Sequence, residues 1–161
     1  MSNSPILFHA ATEADTQRLG AALADLLPDG AVVALIGTLG AGKTRLVQCL
    51  ARACGGPDGT VISPTFVLLR EYHFRRAIYH FDVYRLRVGD EFAQLGADEY
   101  FDSGGLTLIE WADRVADWLP DDRFEITLTI TGPTSRSFAI DSPSAPRQAV
   151  LDALRQRLSD G

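Results

Sequence analysis

Apolar and polar residues alternate without interruption over residues 124–131, which read Phe-Glu-Ile-Thr-Leu-Thr-Ile-Thr. A hydrophobic period of two predicts a β-strand with one buried face. Gly132 and Pro133 follow this segment and predict a turn. Residues 136–140, Arg-Ser-Phe-Ala-Ile, are then expected to form a partner strand, so that this part of the chain contributes an antiparallel pair to a sheet.

A continuous apolar run at residues 31–36, Ala-Val-Val-Ala-Leu-Ile, has the length and the β-branched content of a fully buried strand. Residues 45–53 carry apolar side chains at helical spacing, and Gly55 and Gly56 end the predicted helix. The glycine-rich residues 37–44 connect the two. The pattern therefore predicts a buried strand that leads through a glycine loop into a helix.

The same rules predict the remaining elements. They are a strand at 6–10, a helix after Thr12 with Asp15 in its first turn, hairpin strands at 66–72 and 77–84, short helices within 90–101, a strand at 106–109, a short helix at 113–119 and a final helix capped by Ser144. Helices interspersed with strands predict an α/β fold. We expect one domain over residues 1–161.

Composition narrows the class of protein. Of the 161 residues, 46% are hydrophobic and 22% are charged, and the formal net charge of −6 disfavours direct, tight RNA binding by this chain alone. There is no apolar stretch of about 18 residues and no N-terminal signal pattern, so we expect a cytoplasmic protein without a membrane segment. Cys49 and Cys54 are expected to be free thiols rather than metal ligands.

The glycine-rich segment carries the first candidate chemistry. Residues 37–44 read Gly-Thr-Leu-Gly-Ala-Gly-Lys-Thr, which is the phosphate-binding loop pattern. The glycines let polyphosphate oxygens approach backbone N–H groups, and the helix N-terminus adds a positive dipole. Lys43, the only lysine in the chain, would reach the β- and γ-phosphates, and the Thr44 hydroxyl would ligate Mg²⁺.

Two acids are candidates to complete such a site. Glu110 ends an apolar strand, and strand carboxyl ends face the ligand in open α/β sheets; the alternative is an ordinary loop acid. Asp82 shares a strand face with His80 and Tyr84, which suits a metal or water-positioning role, and the alternative is an ion pair with Arg85.

Hydroxyl and aromatic residues leave more than one interpretation open. Thr65, in the rigid turn Ser63-Pro64-Thr65, could meet the γ-phosphate or Mg²⁺; alternatively, Ser63 and Thr65 simply shape the turn. Residue type alone favours packing roles for Trp111 and Trp118.

Four motifs in this order resemble the TsaE family of bacterial ATPases in tRNA threonylcarbamoyladenosine biosynthesis. They are the phosphate loop, Ser-Pro-Thr-Phe at 63–66, Tyr-His-Phe-Asp-Val-Tyr-Arg-Leu at 79–86 and Leu-Ile-Glu-Trp at 108–111. The resemblance covers residues 8–140. Position 38 departs from it, with threonine where the family often has aspartate, and Ala112-Asp113 replaces a frequent proline and glutamate.

The resemblance implies a P-loop NTPase-like mixed sheet flanked by helices, in a chain that binds and hydrolyses ATP with Mg²⁺. It implies catalytic roles for Lys43, Asp82 and Glu110, and metal ligation by Thr44, Asp82 and Glu110. The nucleotide-binding residues that it implies are Thr38, Leu39, Gly40, Ala41, Gly42, Lys43, Thr44, Arg45, Thr65 of a switch-like loop, and Trp111. The implied partners are the proteins TsaD and TsaB, with tRNA met only through that complex.

Other nucleotide chemistries are less well supported. A small-molecule or nucleoside kinase needs a long lid carrying several arginines, and none is evident in the sequence. A nucleotide-gated binding module with negligible turnover remains an alternative. Guanine recognition by an Asn-Lys-x-Asp motif is impossible, since the only asparagine is Asn3.

Overall fold

The computed structural model describes residues 4–64, 68–86 and 89–160, and this part of the chain is built on one seven-stranded sheet. The strands are β1 (Ile6–Ala10), β2 (Val32–Ile36), β3 (Leu69–His73), β4 (Ala77–Asp82), β5 (Leu106–Glu110), β6 (Phe124–Ile130) and β7 (Arg136–Asp141). The helices are α1 (Glu13–Leu26), α2 (Lys43–Ala53), α3 (Gly89–Gln94), α4 (Ala97–Phe101) and α5 (Gln148–Ser159), with 3₁₀ helices at Ala112–Trp118 and Ala145–Arg147.

The sheet is mixed, as predicted. Its strand order is β1-β7-β6-β2-β5-β4-β3, and β6, β2, β5 and β4 run parallel to one another at the centre. The outer pairs β1–β7, β6–β7 and β3–β4 are antiparallel. In this register Glu110 lies opposite Leu35 on one side and opposite Asp82 on the other, so the two acids end neighbouring strands at the same edge.

Side-chain alternation divides the core between the two faces of the sheet. On β2, Val33 and Leu35 belong to the larger cluster with residues of α1, α2 and α5. Val32 and Ala34 belong to the smaller cluster with α3, α4 and the first 3₁₀ helix. A strand buried on both faces must be apolar throughout, which explains the continuous run at 31–36.

Helix α1 begins as its sequence predicts. Asp15 accepts hydrogen bonds from the backbone N–H groups of Ala11 and Thr12, at 3.0 and 3.3 Å, in a capping box. The helix then packs on α2 at Gly20, where an added Cβ would lie 2.6 Å from the Cβ of Cys49. This close approach of α1 to α2 fixes the helix that follows the glycine loop.

Element boundaries differ from the prediction at the end of β4 and at the start of α5. The strand predicted at 77–84 ends at Asp82, because the Asp82 carboxylate accepts a hydrogen bond from the backbone N–H of Tyr84 and turns the chain. Tyr84 is therefore exposed rather than beside Asp82 on the buried face. Ser144 precedes a short 3₁₀ helix instead of capping α5, and its side chain makes no capping hydrogen bond.

Cys49 and Cys54 are buried free thiols, and burial raises the pKa of both, which makes them poor nucleophiles. None of the helices formed by the described residues combines the length and the apolar character that crossing a membrane requires.

Candidate functional site

The glycine loop joins the central strand β2 to α2, which begins at Lys43. Gly42 has a φ of 104°, a left-handed conformation that glycine adopts without strain. At Gly37 an added Cβ would lie 2.8 Å from the backbone oxygen of Leu128 on β6, so only glycine fits there. Both features hold the loop over the end of the sheet, with the N-terminus of α2 at its centre.

Lys43 is buried inside this loop. Its Nζ donates hydrogen bonds to the backbone oxygens of Gly37 and Thr38, at 2.6 and 3.0 Å, and lies 3.8 Å from the centre of the Trp111 ring. Burial lowers the pKa of the Lys43 amine, and the carboxylates of Glu110 and Asp82 oppose this effect. The ammonium group is thus already ordered where a phosphate would bind.

The two predicted acids come together with Thr44. The Thr44 hydroxyl contacts both carboxylate oxygens of Glu110, at 3.0 Å (Oε1) and 2.8 Å (Oε2). Asp82 lies opposite Glu110 in the sheet and accepts a hydrogen bond from the Ser63 hydroxyl at 3.4 Å. A cavity of about 230 Å³ is lined by these four residues together with Lys43, part of the glycine loop and Trp111.

These oxygen atoms suit a hard cation such as Mg²⁺. Among the described residues, no group of three or more His, Cys, Asp or Glu side chains could hold a metal ion. Mg²⁺ sites of nucleotide-binding proteins normally combine one or two carboxylates with phosphate oxygens and waters. The donor set of Thr44, Asp82 and Glu110 fits that kind of site and not an all-protein metal cage.

Trp111 lies next to the predicted phosphate site. It follows Glu110 in a left-handed conformation with a φ of 63°, an uncommon one for a bulky side chain. Its indole ring lies over the Lys43 ammonium group. The centroid of the indole ring is 4.7 Å from the centroid of the exposed Tyr84 ring. The Arg114 guanidinium is 4.9 Å from the centre of the Tyr84 ring. Neighbouring aromatic and arginine side chains thus connect Lys43 to the surface.

A second cleft, of about 430 Å³, opens on the other side of the glycine loop. It is bounded by the start of α1, the loop residues Gly40 to Gly42, and the β6–β7 turn with Arg136. Arg136 donates a hydrogen bond to the backbone oxygen of Gly40 at 3.3 Å, and Arg45 forms a 3.4 Å ion pair with Glu13. Residue patterns did not indicate Arg136, because its proximity to the loop depends on the pairing of β6 with β7.

The structure also brings in a residue that the sequence did not place in the site. His80 is buried on β4, with Nε2 2.6 Å from Oε2 of Glu110. The available signal was its alternation with Asp82, which puts both side chains on the same face of the strand. Thr65, predicted to contact the nucleotide, lies outside the described residues.

A phosphate-binding loop on the central strand, with acids at the carboxyl ends of the next two strands, defines the class of P-loop α/β proteins. The family model for threonylcarbamoyl adenosine biosynthesis protein TsaE matches residues 10–138. The chain belongs to this TsaE family.

Similar proteins agree with this assignment. The tRNA threonylcarbamoyladenosine biosynthesis protein TsaE of Treponema pallidum is 41% identical over 126 residues, covering 78% of this chain and 93% of that protein. Its namesake from Bacillus subtilis is 37% identical over 123 residues, covering 76% of each chain. The crystal structure of YdiB from Bacillus subtilis superposes with a TM-score of 0.81 at 26% identity, covering 100% of this chain and 99% of that one.

Proposed function

We propose that this chain hydrolyses ATP in the presence of Mg²⁺ and thereby supports the formation of threonylcarbamoyladenosine in tRNA. The observation that carries the proposal is the meeting of Lys43 and Thr44, at the start of α2, with the carboxylates of Glu110 and Asp82 around one cavity. A nucleotide-binding loop without such acids would bind but would not position an attacking water.

The phosphate groups of ATP would lie in the glycine loop, where backbone N–H groups and the dipole of α2 favour negative charge. The γ-phosphate would replace the carbonyl oxygens of Gly37 and Thr38 as partners of Lys43. The cleft beside Arg136 adjoins the same loop and has the volume to hold a nucleoside. Lys43 and Arg136 would therefore contact opposite ends of the nucleotide.

The hydroxyl of Thr44 and the carboxylate of Glu110, already in contact, would hold Mg²⁺ beside the phosphates. When bound there, Mg²⁺ would offset part of the negative charge of the phosphates. Asp82 lies next in the sheet, and its carboxylate would accept a hydrogen bond from the attacking water. Trp111 covers Lys43 and keeps bulk water from its ammonium group.

The tRNA role rests on the family, whose members are named for threonylcarbamoyladenosine biosynthesis. We infer that the chain acts as an accessory subunit with TsaD and TsaB, and that it meets tRNA through that complex. The net charge of −6 supports this inference, because it provides no general attraction for a polyanion.

The test is release of inorganic phosphate from ATP by the purified protein, with and without Mg²⁺, and with and without TsaD and TsaB. We expect weak hydrolysis by the isolated chain, none in EDTA, and faster hydrolysis with both partners at saturating concentrations. Equal rates with and without the partners would contradict the accessory role. Transfer of phosphate to an added nucleoside instead of water would identify a kinase.

A further inference from the structure

His80 makes a contact that the roles assigned so far do not use. It lies on β4 two residues before Asp82, with a side chain that is 0% exposed. Its Nε2 atom is 2.6 Å from Oε2 of Glu110, and the Glu110 side chain is itself only 4% exposed. The imidazole therefore sits beneath the candidate metal site, on the face of the sheet that carries the glycine loop.

The hydrogen-bonding pattern fixes the direction of this contact. An ionised carboxylate only accepts hydrogen bonds, so with Glu110 ionised the proton lies on Nε2 and His80 is the donor. Among the described residues, Nδ1 of His80 finds no hydrogen-bond partner. A buried polar atom without a partner is costly. The contact with Glu110 is therefore the polar interaction that the described residues offer the buried imidazole of His80.

Thr44 is a second side chain in contact with the Glu110 carboxylate. The Thr44 hydroxyl contacts the same carboxylate at 2.8 and 3.0 Å. A hydroxyl that held a metal ion through an oxygen lone pair would still carry its hydrogen, so Thr44 would keep its contact with Glu110. His80 contacts the same carboxylate from β4, so side chains from α2 and β4 hold Glu110 from two directions.

We propose that His80 is a positioning residue for ATP hydrolysis, which holds the Glu110 carboxylate in the orientation that meets Mg²⁺. This inference rests on the proposed function. Donors to metal-binding carboxylates orient them, and losing such a donor commonly lowers metal affinity or activity about 10- to 100-fold.

Two amide variants separate positioning from packing. In His80→Gln the side-chain amide extends about as far as Nε2 and can still donate to Glu110, whereas in His80→Asn it ends near the position of Nδ1. Thr107→Val is the control: Thr107 is fully buried on β5 itself, and its hydroxyl has no partner within the described parts of the chain. All three changes therefore alter a buried strand position, but His80→Asn alone removes the donor.

We expect His80→Asn to lower kcat about 10- to 100-fold and to weaken the Mg²⁺ dependence of ADP binding, while ADP affinity in EDTA stays unchanged. His80→Gln should retain most of both properties, and Thr107→Val all of them. Equal behaviour of the Asn and Gln variants would overturn the inference. So would an ADP affinity in EDTA that falls as much as the affinity with Mg²⁺.

A second measurement does not depend on hydrolysis. The chain has three histidines, so a long-range ¹H–¹⁵N spectrum of the wild type can be assigned by the signals lost in His80→Asn. We expect the His80 proton on Nε2, and a proton on Nδ1 alone would overturn the inference. If the wild type fails to hydrolyse ATP, the proposed function falls, but the spectrum and the Mg²⁺ dependence of ADP binding still decide the role of His80.

Discussion

The charged side chains of the site are almost completely buried. Lys43, Asp82 and Glu110 are 4%, 2% and 3% exposed, and they face one another around the same cavity. Buried charges cost free energy unless they are paired and hydrogen-bonded. The contacts of Lys43 with the loop carbonyls and of Glu110 with Thr44 and His80 meet this need in the free protein.

Glu110→Gln should lower the rate of ATP hydrolysis by about 10²–10⁴-fold, the usual effect of losing a positioned acid or base. ADP affinity in EDTA should change little, because the loop N–H groups and Lys43 contact the phosphates without Glu110. Steady-state kinetics and calorimetric ADP titrations check both expectations. Glu125→Gln, on β6 next to Arg123, is the matched control and should retain full activity. Near-normal turnover of Glu110→Gln would move the role to Asp82.

Lys43 gives a prediction for stability against pH. Burial lowers the pKa of its amine below the unfolded-chain value of about 10.4, so between the two pKa values the unfolded state binds more protons. The unfolding free energy of the wild type should therefore rise with pH in that window relative to Lys43→Met. The destabilisation caused by burying the charged Lys43 amine is complete below the pKa of the folded state. It disappears above the pKa of the unfolded chain.

Urea unfolding of both proteins over a series of buffers from about pH 7 to pH 10.5 tests this expectation. Cysteines and tyrosines titrate in the same window, but they do so in both proteins, so the difference isolates Lys43. A difference that is flat, or of opposite slope, would show that the loop and Trp111 compensate the ammonium fully. Lys43→Met should hydrolyse no ATP at any of these pH values.

At the scale of elements, the approach of α1 to α2 sets the position of the phosphate loop. Replacing a mid-helix glycine by alanine normally stabilises a helix by up to about 1 kcal/mol. At Gly20 the added Cβ would lie 2.6 Å from the Cβ of Cys49 and 2.9 Å from the backbone nitrogen of Leu50. Gly20→Ala should therefore destabilise the protein by about 1–3 kcal/mol in urea unfolding.

Ala21→Gly on the exposed side of α1 is the comparison, and it should cost about 1 kcal/mol through helix propensity alone. Stabilisation by Gly20→Ala would mean that α1 can shift on α2 without loss. Because α2 begins at Lys43, we also expect Gly20→Ala to weaken ADP binding.

The β3–β4 turn contacts the C-terminal ends of α1 and α2. Arg76, 16% exposed, donates a 2.9 Å hydrogen bond to the backbone oxygen of Ala24 in the last turn of α1. Arg75, 61% exposed, reaches Ala53 at the end of α2. Arg76→Ala should cost about 1–2 kcal/mol and Arg75→Ala less than about 1 kcal/mol in urea unfolding. Equal losses of unfolding free energy in the two variants would show that burial does not determine how much these contacts stabilise the protein.

Local patterns predicted most elements, because their causes lie within a few residues. The alternation at 124–130 and the capping pair of Thr12 and Asp15 are examples. The contacts of Arg76 with α1, of Arg136 with Gly40 and of His80 with Glu110 could not be predicted. Their partners lie 52, 96 and 30 residues away and meet only through strand order and register.

Across the whole molecule, the site joins the two layers that cover the sheet. Lys43 and Thr44 begin α2, which packs on the larger core cluster, whereas Trp111 packs against the smaller one. Asp82 and Glu110 end strands buried between both layers. A ligand in the cavity would therefore contact residues that belong to both layers.

Nucleotide should consequently stabilise the entire described fold rather than the loop alone. A ligand that binds only the native state at 100 times its Kd adds about 2.7 kcal/mol, which for a chain of this size raises Tm by about 5–10 °C. We expect this rise with Mg²⁺-ADP as one cooperative transition, observed both by circular dichroism and by Trp fluorescence. Lys43→Met should show little rise, since the ammonium contact to phosphate is gone, while Thr107→Val should match the wild type. A Tm that does not move with nucleotide up to millimolar concentrations would mean that the cavity binds no nucleotide, and the proposed ATPase function would fall with it.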